Sequence, residues 1–148
     1  MLKKLLLALV IISLNLAASD IEVKNAYVRA VPPNLRNSAS FMTIVNRSNK
    51  DLFLIYANSS VAKNAELHEH IKLKNGMMRM QQVKSIKIPA NHSFALKPGG
   101  YHVMLFELNK KLKVGESVKS ITLSFSNKET IVLKNVPIKS VIGGMKMK

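Results

Sequence analysis

"PGGYHVMLF", residues 98–106, sets a proline and two glycines directly before a run with a period of two. Successive side chains of a strand point to opposite faces. His102 and Met104 therefore share one face, while Tyr101, Val103 and Leu105 take the other, which has the apolar character of a core. Proline presets φ and glycine accepts positive φ, so Pro98, Gly99 and Gly100 read as a tight turn that reverses the backbone at a sheet edge. The stretch predicts a strand that packs on one side and presents an imidazole and a thioether on the other, rigid and accessible beside the turn.

The same alternation runs through the chain from residue 20, with short stretches rich in Val, Ile, Phe and Thr broken by Asn, Ser, Lys, Pro and Gly. Strands are expected near "IEVKNAYVRA", "SASFMTIVN", "DLFLIYANS", "NAELHEHIKL", "GMMRMQQVKSIKIP", "HSFALK", "YHVMLFELN", "SVKSITLSFSN" and "TIVLKNVPIK". Nine short strands predict an all-β sandwich or small barrel. A chain of 148 residues holds one core, and no repeat or linker divides it, so residues 20–138 are read as a single domain. "VPPNLRNS" (31–38) interrupts the pattern because Pro32 and Pro33 cannot donate to a ladder. The tail, residues 139–148, is expected to be flexible beyond Gly143 and Gly144.

Residues 1–19 have two lysines, an apolar run from Leu5 to Leu16, and then Ala17, Ala18 and Ser19. This predicts a cleavable export signal, too short in its apolar part to span a membrane, and hence a periplasmic protein without stable membrane insertion. The sequence contains no cysteine. Disulfides, thiol redox chemistry and acylation of a cysteine are thereby excluded. The formal charge of +15 points to acidic partners. Nucleic acid is not expected, since export and sparse aromatic residues argue against it.

All four histidines and four of the eight methionines lie between residues 68 and 104. "ELHEH" supplies His68 and His70, "GMMRMQQ" supplies Met77, Met78 and Met80, and the opening stretch adds His102 and Met104. Thioether is a soft donor and imidazole a borderline one, so a cluster without thiolates and with few carboxylates suits copper, above all Cu(I), with Cu(II) as the alternative oxidation state. Zinc, calcium and magnesium fit less well. Taken singly, His102 reads better as a satisfied rim histidine and Met104 as a core filler; only their joint spacing with the other donors overturns that. His70 shares a strand face with His68, as a solvated histidine or an auxiliary ligand; His92 sits in a turn; Met77 and Met78 read as apolar neighbours. Met145 and Met147 form a further candidate auxiliary pair in the tail.

The order "ELHE", "GMMRM", "IPA", "LKPGGYHVMLFEL" resembles the PCu(A)C copper chaperones, whose signature is a His, a variable position, ten residues, a Met, twenty-one residues and His-x-Met. Here His68 and Glu69 precede residues 70–79, Met80 follows, and residues 81–101 lead to His102, Val103 and Met104. "AYVRAVPP" and "SITLSF" extend the resemblance over most of residues 21–138. It implies a cupredoxin-like Greek-key β-sandwich, with one exposed Cu(I) held by His68, Met80, His102 and Met104 and supported by the Pro98-Gly99-Gly100 turn. It further implies a monomeric carrier that passes copper by ligand exchange to an acceptor, such as the CuA subunit of cytochrome c oxidase or a Sco-type chaperone. A copper-sequestering protein with the same site and a metal-free adhesion or scaffold sandwich remain open at this point. Enzymatic activity is not expected: no nucleophile has a matched base, and four protein ligands would leave copper no open position.

Overall fold

The computed structural model describes residues 18–140. Its strands are β1 (Ile21–Arg29), β2 (Ser38–Asn46), β3 (Leu52–Ser59), β4 (Ala62–Lys72), β5 (Met78–Gln82), β6 (Ile86–Ile88), β7 (His92–Leu96), β8 (His102–Leu108), β9 (Ser117–Phe125) and β10 (Thr130–Lys139). Residues 1–17 of the expected export signal (1–19) and the tail beyond residue 140, with Met145 and Met147, lie outside the described residues. Lys139, assigned to the tail from sequence, is the last residue of β10.

Hydrogen bonding runs in the order β5-β4-β8-β2-β1-β10-β9-β3-β6, with β7 also on β2. The path folds into two facing layers, joined where β1 runs parallel to β10 at Val28 and Ile138. The chain changes layer between β2 and β3, β3 and β4, β5 and β6, β6 and β7, and β8 and β9, which gives the crossing connections of a Greek-key sandwich. Met42, Ile44, Leu67, Val103 and Leu105 from one layer meet Leu54, Ile86, Ile121, Leu123 and Phe125 from the other, all buried. "GMMRMQQVKSIKIP" is therefore not one strand. It divides at Val83–Ser85, because β5 pairs with β4 in one layer and β6 with β3 in the other.

A bulge near Asn25 (φ 54°) inserts one residue into β1 between Lys24 and Tyr27. The bulge moves Tyr27 onto the outer face beside Phe41 and turns Val28 inward. Phe41, on the face of β2 opposite to Met42, is itself buried, because Tyr27, the Arg29 guanidinium and His102 surround its ring. Residues 31–37 run beside this face, tied down where the Leu108 amide donates to the Arg36 carbonyl (2.8 Å) and the Glu107 amide to Asn37 Oδ1 (3.3 Å).

One edge of β2 is shared by two strands. β7 pairs along Met42–Asn46, and β8 along Ser38–Ser40. Leu96 faces Met42 and Val103 faces Ser40, so residues 97–102 lie opposite Phe41 alone. The surplus chain is looped out in a turn: the Gly100 amide donates to the Lys97 carbonyl (2.9 Å), and Gly99 has φ 81°. Proline at the second and positive φ at the third position make this a type II turn. Only Gly99 requires the left-handed backbone; Gly100 does not.

A Cβ on Gly99 would meet no atom within 4 Å, so a Gly99→Ala substitution tests backbone strain alone. It should lower stability by about 1–2 kcal/mol, read as a reduced urea midpoint with an unchanged slope. Gly100→Ala should stay within about 0.5 kcal/mol of the wild type.

Candidate metal centre

The expected donors come from three adjacent strands. On β4 and β8, His68 lies opposite His102 and Glu66 opposite Met104. On β4 and β5, His70 lies opposite Met80 and His68 opposite Gln82. Side chains opposite one another in a ladder share a face. His68, His70, Met80, His102 and Met104 are therefore on one face of the sheet, the one that also carries Phe41.

A cavity of about 320 Å³ opens on this face, lined by His70, Met80, His102 and Met104 together with Arg29 and Phe41. Val31, Leu35 and Asn37 of the connecting segment form its far wall. His68 is not part of the lining, but its ring stands beside that of His102, centroids 5.8 Å apart, and against Phe106 at 5.7 Å.

His102 departs from its expected accessibility, being only 2% exposed. It begins β8 just where the looped-out turn delivers it over Phe41 (6.1 Å between centroids), with His68 and His70 on its other sides. Met80 is the open member at 45% exposure, and Met104 is half-buried. His70 is not a freely solvated histidine either. It is half-buried, its ring centroid 5.2 Å from that of His102, and its Nδ1 lies 3.4 Å from the Gly100 carbonyl. The same carbonyl accepts from His102 Nδ1 at 3.0 Å. His92 starts β7 at an exposed position, its Nδ1 on the Ala90 carbonyl (2.7 Å), at the end of β7 remote from the turn that precedes His102. Met77 and Met78 are exposed rather than packed.

The surroundings contain one carboxylate that the sequence reading passed over. Glu66 Oε2 is 2.7 Å from His68 Nε2. Strand parity puts Glu66 on the same face of β4 as His68 and His70. Among the described residues, no three or more His, Cys, Asp or Glu side chains are grouped to hold a metal.

Burial holds the His102 imidazolium below the usual histidine range, and the neighbouring His70, His68 and Arg29 add to this while the bond to the Gly100 carbonyl opposes it. The neutral ring is thus the resting form, with Nδ1–H on the Gly100 carbonyl and the Nε2 lone pair free.

The profile of the LpqE-like family, described as putative lipoprotein LpqE-like, matches residues 21–138. The chain belongs to this family, the family of PCu(A)C domains. The putative lipoprotein Lxx21020 of Leifsonia xyli subsp. xyli is 35% identical over 127 residues, covering 85% of this chain and 74% of the relative. An uncharacterized protein of Rickettsia prowazekii, RP573, is 28% identical over 103 residues, 69% of this chain and 56% of that one. The Cu(I) form of DR1885 from Deinococcus radiodurans superposes with a TM-score of 0.63 at 35% identity, over 81% of this chain and 78% of that one. The copper-bound PCuAC domain from PmoF2 superposes at 0.69 with 20% identity, over 84% and 96% of the two chains, a likeness of fold. The fold is the cupredoxin-like sandwich of these domains. Unlike proteins that carry a lipid on cysteine, this sequence has no cysteine to acylate.

In the unfolded chain His102 returns to the ordinary value near 6.5. Just below that pH the unfolded state binds a proton that the folded state refuses, so stability falls as pH falls through this window. The expected outcome is a melting temperature that drops on acidification below about pH 6.5, with the His102 ring resonances in NMR titrating below the ordinary histidine range.

Proposed function

We propose that this PCu(A)C protein is an exported copper carrier that binds Cu(I) through His68, Met80, His102 and Met104 and releases it by ligand exchange. The observation that carries the reading is the gathering of two imidazoles and two thioethers, from three neighbouring strands, on one face, where Met80, His102 and Met104 line one cavity and the His68 ring stands beside that of His102. All four donors are neutral, so Cu(I) would retain its single positive charge, and a soft ion is matched without a thiol that an oxidising compartment would consume.

The donors also differ in how they are held, which favours transfer over storage. His102 is buried and fixed by the Gly100 carbonyl. Met80 is the most exposed of the four and stands at the open edge, on a strand paired on one side only. An acceptor's soft donor would reach copper from this side, displace the Met80 sulfur first, and leave the imidazoles for last. His70 stands next to this route as an auxiliary donor. Four protein donors leave no position for a substrate, so carriage rather than catalysis is the chemistry of the site.

The acceptor would be a copper protein of the same compartment, the CuA subunit of cytochrome c oxidase or a Sco-type chaperone. Lys97, the first residue of the turn beside the donor face, would favour an acidic docking surface and raise the association rate more than the affinity, whereas Arg79, next to Met80 on β5, points to the opposite face with Gln81.

An anaerobic competition titration with Cu(I) against a chromophoric chelator tests the reading. The exported protein should bind one tight equivalent, and a His102→Ala, Met104→Leu double variant should lose it. Equal, weak binding by both would point instead to a metal-free sandwich whose methionines only pack.

A further inference from the structure

We propose that Glu66 is a positioning residue for His68, and that it makes Nδ1, rather than Nε2, the nitrogen this imidazole presents to copper; the inference rests on the copper reading above. An ionised carboxylate only accepts hydrogen bonds. With Glu66 Oε2 at 2.7 Å, the proton must sit on His68 Nε2. Nδ1 is then the nitrogen with the lone pair. It is buried and has no hydrogen-bond partner, one of two such side-chain atoms among the described residues. The His68 side chain is only 12% exposed, so bulk water does not reach it freely, whereas Glu66 is 36% exposed. A proton on Nδ1 would have no acceptor there; a lone pair can be matched by a metal ion.

The neighbouring imidazole shows the opposite arrangement. The Gly100 carbonyl, also an acceptor only, holds the Nδ1 proton of His102 and leaves Nε2 bare. Two rings whose centroids are 5.8 Å apart are thus held in opposite tautomers, one by a side chain of β4 and the other by the backbone of the turn before β8. Glu66 lies directly opposite Met104 in the ladder, so it shares the donor face without being a donor. A carboxylate on the far nitrogen also raises the basicity of the coordinating one.

Long-range proton–nitrogen NMR spectra of the full exported chain, taken without copper and with one equivalent of Cu(I) under anaerobic conditions, decide the matter. Without copper, His68 should be the Nε2–H tautomer and His102 the Nδ1–H tautomer. Cu(I) should shift His68 Nδ1 and His102 Nε2. Glu66→Leu should mix the His68 tautomers and weaken Cu(I) binding about tenfold to hundredfold while keeping one equivalent. Glu66→Gln, whose amide oxygen still accepts from Nε2, should lose less. A copper-induced shift at His68 Nε2, or unchanged tautomer and affinity in Glu66→Leu, would overturn the inference and leave the copper reading standing. If no imidazole nitrogen of the folded protein responds to Cu(I), the copper reading fails and takes this inference with it. The wild-type spectra alone suffice should the leucine variant not fold.

Discussion

The donor face depends on how one edge of β2 is divided. Both β7 and β8 pair with that edge, and the chain between their pairing registers is longer than the gap it spans, so residues 97–102 lie opposite Phe41 alone. The type II turn at Lys97–Gly100 absorbs the excess. Three consequences follow from this one constraint. The Gly100 carbonyl is left free of the ladder and accepts from His102 and from His70. His102 enters β8 over the Phe41 ring. The other edge of β8 is then open to β4, which brings His68 and His70, and the β4–β5 hairpin adds Met80.

Much of this was legible in local sequence. Strand parity alone put His102 with Met104 and opposite to Val103 and Leu105, because the pleat alternates faces whatever the partner strand may be. The same rule placed His68 and His70 together. What was not legible depended on pairing. "GMMRMQQVKSIKIP" has no breaker at Val83–Ser85, so nothing in it announces that its halves join different layers. The bulge at Asn25 reverses parity within "IEVKNAYVRA", and only the ladder with β2 reveals it.

The burial of His102 and the recruitment of His70 were hidden for a related reason. Both follow from what lies over the sheet, namely Phe41, Arg29 and the segment from Val31 to Asn37, which are distant in sequence from the histidines. Pro32 and Pro33 showed that this segment is not a strand, but not that it walls a cavity. Glu66 was in view yet unread, since a carboxylate beside a set of soft donors has no evident role until the 2.7 Å contact to His68 is seen.

The two kinds of donor are held in different ways, and this bears on the proposed handover. Each imidazole has a hydrogen bond that fixes its ring: His102 to the Gly100 carbonyl, His68 to Glu66. A thioether sulfur is only a weak acceptor, and methionine turns about three side-chain bonds, so Met80 and Met104 cannot be anchored in the same manner. The rings therefore set where a metal ion would sit, whereas the sulfurs can swing aside without breaking a strong interaction. Met80 combines that mobility with the greatest exposure of the four. A site built in this way would hold copper by its buried side and lose it by its open one, and the barrier to exchange would depend on the departure of a thioether rather than on any rearrangement of the sandwich.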